Sequence, residues 1–67
     1  MTAMDIIHKQ TSPVGRDAIV RAVFSTITPH GAVREGLRNR GLVDASGYPT
    51  HLGREYADWV IKEGTSR

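Results

Sequence analysis

The sequence predicts a mainly α domain with one small β-hairpin, three helices before the hairpin and one after it. Three observations predict this. The steps Ser12-Pro13 and Thr28-Pro29 each introduce apolar residues at three- and four-residue spacing. Ala45-Ser46-Gly47 supplies turn chemistry between two short extended pieces, Leu42-Val43-Asp44 and Tyr48-Pro49-Thr50. Thr50 then suits the cap of a last helix, in which Leu52, Tyr56, Trp59 and Val60 follow at helical spacing.

The chain of 67 residues makes a single domain, 1–67. At this size the core holds about a dozen side chains, and stability is marginal. The N-terminal 1–11 reads as a short, flexible helix: Thr2-Ala3-Met4-Asp5 has the form of a capping box, and Met4 and Ile7 are its apolar positions. Residues 64–67 read as a frayed tail.

In the second helix, Ile19, Val20, Val23, Phe24 and Ile27 form one broad apolar stripe, with Arg16, Asp17, Arg21 and Ser25 mostly on the other side. The β-branched content also suits a strand, but the run is longer than core strands usually are. The third helix covers about 29–40, with Thr28 as cap, Val33 and Leu37 as core positions and Ala32, Gly36 and Arg40 flanking. A glycine at 36 fits the close approach of another backbone, and Gly41 is a natural left-handed stop.

The formal charge of +2 is mild, but its distribution is uneven. Six arginines stand against three acids between Arg16 and Arg54, whereas from Glu55 to Glu63 the three acids Glu55, Asp58 and Glu63 face only Lys62. The positive field therefore belongs to the middle of the chain.

Taken in order, these elements resemble the winged helix-turn-helix family of DNA-binding domains. Three segments carry the resemblance: Val33-x-x-x-Leu37 running into Arg40-Gly41-Leu42-Val43, then Asp44-Ala45-Ser46-Gly47-Tyr48, then Thr50-His51-Leu52-Gly53-Arg54-Glu55-Tyr56-Ala57. In that family these are the end of the recognition helix, the wing, and the start of the helix after the wing. The match spans about 28–60, roughly half of the chain. It implies a winged-helix-like domain that binds double-stranded DNA sequence-specifically. Helix 29–40 enters the major groove, and hairpin 44–50 touches the adjacent backbone or minor groove. Two copies then read half-sites about one helical turn apart. So short a chain suits a phage-type repressor, an excision factor or an architectural protein.

The residues are compatible with that role. With Val33 and Leu37 inward, Gly31, Glu35, Arg38 and Asn39 face outward and Arg34 lies at one edge. Arginine matches guanine O6 and N7, and asparagine matches adenine N6 and N7. His30 near the helix start suits a phosphate or a base edge. Glu35 accepts from cytosine N4 or buttresses Arg38, three residues on; the same two also read as a surface pair worth about a few tenths of a kcal/mol. Arg16, Arg21 and Arg54 are candidate phosphate contacts. Ser46, Gly47 and Tyr48 form the hairpin tip, with Tyr48 either on the sugar-phosphate or packed against the hairpin. Tyr56, Trp59 and Val60 read as core or homodimer contacts before a base-stacking platform.

Other chemistry is not legible. Without cysteine there is no disulfide, thiolate metal site or thiol nucleophile. His8, His30 and His51 are too far apart for a local metal motif, and no phosphate loop or nucleophile elbow is present. The sequence predicts no enzyme, no cofactor, no metal and no small-molecule substrate. It has no apolar run of membrane-spanning length and no signal-peptide pattern, so a soluble, cytoplasmic protein is expected. The rival function is a module that binds a protein partner, or itself, through the acidic C-terminal helix. Salt separates the two, because arginine-carried DNA binding weakens steeply with salt.

Overall fold

The computed structural model describes residues 3–64. Its elements are α1 (Ala3–Gln10), α2 (Pro13–Phe24), α3 (Gly31–Asn39) and α4 (His51–Trp59), the last continued by a π-helical turn over Val60–Gly64. None of these helices is long and apolar enough to cross a membrane. The helix expected near the N-terminus is present, although its capping residue Thr2 lies outside the described residues, as does most of the expected frayed tail.

Helix α2 starts as expected. Ser12 is extended and its hydroxyl accepts from Gly15 N at 3.1 Å, with Pro13 in the first turn. It ends at Phe24, one turn before Ile27. Ser25, Thr26 and Thr28 are weak helix formers, and Pro29 disfavours helical backbone at Thr28. The chain reverses at Thr26, a non-glycine residue with φ 54. The apolar stripe is consequently buried only in part: Ile19 is in the core, whereas Phe24 (56% exposed) and Ile27 (52%) are not.

Helix α3 begins at Gly31, later than the Thr28-Pro29 signal implies. Pro29 is buried in the linker, His30 takes the cap position without a side-chain cap bond, and the turn into the helix is made at Gly31 with φ 61. Leu37 faces the core and Gly41 (φ 76) stops the helix. Thr50 then caps α4 by accepting from Gly53 N at 3.1 Å, and its own hydroxyl donates to Gly41 O at 2.6 Å. One threonine thus starts α4 and ties it to the end of α3.

The structure corrects the fold class. The segment 44–50 is no β-hairpin wing. Among the described residues its only sheet-like pairing is a single antiparallel bridge, Val43 with Pro49. One local feature stops a ladder from growing. Asp44 Oδ1 accepts from Ser46 N at 2.9 Å and from Tyr48 N at 3.0 Å, so the Tyr48 N–H is taken by a side chain. Pro49 does not oppose the pairing: it sits in a non-hydrogen-bonded position, flanked by the bonds Asp44 N to Tyr48 O at 2.8 Å and Thr50 N to Leu42 O at 3.0 Å, so its missing N–H points away from Val43. What remains is a compact turn, closed by Gly47 at φ 91 and seated on the linker. A Cβ at Gly47 would lie 2.8 Å from Thr28 Cγ2 and 3.2 Å from Arg34 Cδ. The protein is a four-helix globule with a seated turn, and the winged architecture is set aside.

The core is Ile19, Leu37, Leu42, Val43, Tyr56, Ala57 and Val60, with Met4, Ile7, Val33, Leu52 and Trp59 packed around it. Its closest approach is at Gly53, where α4 crosses the Leu42 peptide. Gly36, by contrast, is in open contact: a Cβ there would meet only Arg40 Nη1 at 3.6 Å. The close-packing glycine is Gly53.

Helix α1 has no fully buried residue; Met4 and Ile7 pack at the rim of the core, and polar groups tie the helix down further. His8 Nδ1 and Tyr56 Oη share a hydrogen bond of 2.9 Å, and the His8 ring meets Trp59 edge-on at 5.0 Å. Arg16 Nη2 donates to His8 O at 3.0 Å, and Arg40 Nη2 donates to Gln10 O. Burial pushes the Tyr56 phenol above its ordinary value of 10.0, outweighing the opposite effects of Thr11 and Arg16. The unfolded chain therefore loses this proton first as pH rises. The stability Tyr56 contributes is complete below its ordinary value and is lost as pH climbs through the raised one. Tyr48→Phe leaves Tyr56 as the only tyrosine of the two in the chain. In that variant the phenolate absorbance should rise above pH 10.0, with urea stability declining over the same range; ionisation at or below that value contradicts the burial argument.

Candidate nucleic-acid interface

The outward side of α3 carries Gly31, Glu35, Arg38 and Asn39, all exposed, as the helical spacing predicts. Arg38 Nη2 lies 3.4 Å from Glu35 Oε1, with both side chains about half exposed (48% and 51%). An ion pair so open to water contributes little to stability, so Arg38 can exchange Glu35 for another acceptor at small cost. His30 is exposed at the start of the same helix.

Arg34 stands at the edge of this face. Its aliphatic stem lies beside Gly47, and its Nε is enclosed without a hydrogen-bond partner among the described residues. The seated turn thus covers one flank of Arg34 and presents exposed Ser46 and Tyr48 next to it. Tyr48 is not packed on the turn: it is 62% exposed. Arg54, on the first turn of α4, lines a cavity together with Tyr48, Gly47 and Thr28. Arg34, Gly47, Tyr48 and Arg54 are therefore drawn together at one end of α3, with Glu35, Arg38 and Asn39 on its outer side.

The remaining candidates lie elsewhere. Arg21 is exposed and pairs with Asp17 at 2.9 Å. It borders the same α2–α3 groove as His30, so it flanks the face from the α2 side. Arg16 is placed apart from it, turned toward the His8 carbonyl at the α1–α2 junction, with its Nε enclosed. Tyr56 and Val60 are 0% and 3% exposed, so their surfaces are used inside the chain. On that helix and its continuation, a partner is left with Trp59, itself partly packed on the core, and Ile61.

Sequence reasoning missed two residues of this surface, Thr26 and Thr28, which line the cavity beside Arg54. Thr26 falls within the apolar stripe expected to run to Ile27, and Thr28 reads only as a cap before proline; neither announces a cavity wall. Arg40 is expected both to flank the core and to end the third helix, with no tertiary partner indicated. Its guanidinium clasps Gly36 O at 2.9 Å and the end of α1, which ties α1 to α3.

Among the described residues no three His, Asp or Glu side chains gather into a metal-binding group. The arrangement offers instead a planar set of donors and acceptors on a short helix, with cationic and hydroxyl groups beside it. That chemistry suits hydrogen bonding to base edges and to anionic oxygens. In comparisons with known proteins, no family model, curated protein or solved structure matches the chain.

Proposed function

We propose that the chain is a small DNA-binding regulator of the cytoplasm, a binding protein and not an enzyme. The outer face of α3 enters the major groove of double-stranded DNA. The observation that supports this most is the side-chain set on that face. Arg38 and Asn39 are neighbouring exposed residues with base-reading chemistry, one turn from Arg34 on a helix that His30 opens, within the arginine-rich middle of the chain. The Arg38–Glu35 pair fits the same reading: Glu35 holds the guanidinium on this face in the free protein and accepts from a cytosine amine in the complex. No wing is required. The turn at 44–48 lies close against the linker, and its Ser46 and Tyr48 N–H groups are already taken by Asp44. Any contact from it to the DNA backbone is through side chains.

The test is fluorescence anisotropy of a labelled mixed-sequence duplex, titrated with the protein at low and moderate salt. The expected result is binding whose logarithm falls linearly with the logarithm of salt, with a slope of about −0.9 for each phosphate neutralised. Absence of binding at low salt, or binding indifferent to salt, refutes the reading.

A further inference from the structure

The cavity between the end of α2, the seated turn and the start of α4 has a volume of about 500 Å³. That lies within the range of small-ligand sites, about 300–1,000 Å³. Its apolar wall includes Val23 and Pro49, and its polar groups are Thr26, Thr28, Tyr48 and Arg54. Three features set it apart from a mere crevice. The Tyr48 ring stands open to solvent at its edge. Arg54 makes no ion pair among the described residues, whereas Arg21 and Arg38 are each paired with a carboxylate. Thr26 is held at φ 54, a conformation that costs a β-branched residue free energy, and this places it in the cavity wall.

A guanidinium selects an anion, and its planar fork matches phosphate oxygens. The Thr28 hydroxyl beside it can donate to the same oxygens, whereas the Thr26 hydroxyl donates to Ser25 O at 2.7 Å. An exposed aromatic ring above an apolar wall accepts a flat or sugar-like surface. An anion joined to such a surface is a nucleoside phosphate. We infer that this cavity is a nucleoside-phosphate site, with the phosphate on Arg54 and Thr28, the nucleoside against Tyr48 and Thr26 as part of the wall. The unit comes either from the backbone of bound DNA or from a free nucleotide. The first source rests on the DNA-binding reading above, and the second does not.

The test uses the full chain and the variants Arg54→Ala and Tyr48→Ala, both at exposed positions, with far-UV circular dichroism to verify the fold. One arm measures the salt dependence of duplex binding. If backbone DNA occupies the site, Arg54→Ala lowers the magnitude of the slope by about one and weakens all duplex sequences alike. The other arm titrates adenosine monophosphate, with inorganic phosphate for comparison. If a free nucleotide occupies the site, the monophosphate binds more tightly than phosphate, and Arg54→Ala weakens it about tenfold, as loss of a hydrogen bond to a charged group implies. Nucleotide binding without duplex binding keeps the site and refutes the DNA-binding reading. Duplex binding unchanged by Arg54→Ala, together with no nucleotide binding, keeps that reading and overturns the site. Failure of both ligands to bind overturns both.

Discussion

Gly53→Ala should lose about 3 kcal/mol or more of stability, enough to leave much of so small a domain unfolded in water. An added Cβ at this position would overlap Leu42 O and lie 2.9 Å from Leu42 C and 3.3 Å from Ile19 Cδ1. The first two atoms are backbone, so no rotamer change relieves the contact. Moving the Leu42 peptide away strains the bond from Thr50 N to Leu42 O (3.0 Å) and the neighbouring bond from Thr50 Oγ1 to Gly41 O, which together start α4. Intrinsic helix propensity runs the other way, favouring alanine by about 1 kcal/mol, and is outweighed by the clash. Gly36→Ala is the matched control, since its Cβ finds only an ordinary contact with Arg40 Nη1. There the propensity term should prevail, with a gain of up to about 1 kcal/mol. Urea titration followed by circular dichroism compares both variants with the parent. A Gly53→Ala protein as stable as the parent would disprove the backbone contact.

The pair of glycines also marks what a sequence can and cannot convey here. Ser12 and Thr50 are readable as caps because a cap is a local event, settled within three residues. The outward set on α3 is readable because helical spacing alone sorts Val33 and Leu37 from Glu35, Arg38 and Asn39. Gly36 and Gly53 are each ordinary glycines in a helical pattern, and only the tertiary crossing of α4 over Leu42 tells them apart. Thr28-Pro29 has the same local form as Ser12-Pro13, yet Pro29 is buried in the linker and the helix starts two residues later. The expected wing failed for a related reason. Turn chemistry at Ala45-Ser46-Gly47 was real, but it cannot show that the Asp44 carboxylate takes the Tyr48 N–H that a ladder needs.

Charge was legible as a sum and illegible in its use. The middle of the chain is rich in arginine, and the structure sends those side chains to different tasks. Arg16 and Arg40 donate to carbonyls at the end of α1, Arg21 and Arg38 pair with acids on their own helices, and Arg34 is half covered by the turn. Only the position of α1 explains why Arg16 stands apart from the α3 face, and nothing in the spacing of residues 3–16 reports that position.

Arg38→Ala/Asn39→Ala should keep the fold and lose sequence discrimination. Both side chains are exposed, and the Arg38–Glu35 pair they disturb is a solvated one, so the cost in stability is about 1 kcal/mol or less. The effect on recognition is larger. A bidentate contact from arginine to guanine or from asparagine to adenine discriminates by about 1–3 kcal/mol. Loss of two such contacts removes about 2–6 kcal/mol from specific binding, a factor of roughly 30 to 2 × 10⁴. Binding to mixed-sequence DNA should fall far less, since only one charge is gone and the phosphate term is otherwise intact. The measurement is selection of a preferred duplex from a randomised pool with the parent protein, followed by titration of that duplex and a scrambled one with parent and variant. Convergence of the two affinities in the variant places base reading on α3. A variant that keeps the parent's ratio between the two duplexes removes Arg38 and Asn39 from that role. In that outcome the neighbouring groups His30 and Arg34 are left as the base-reading candidates of this face.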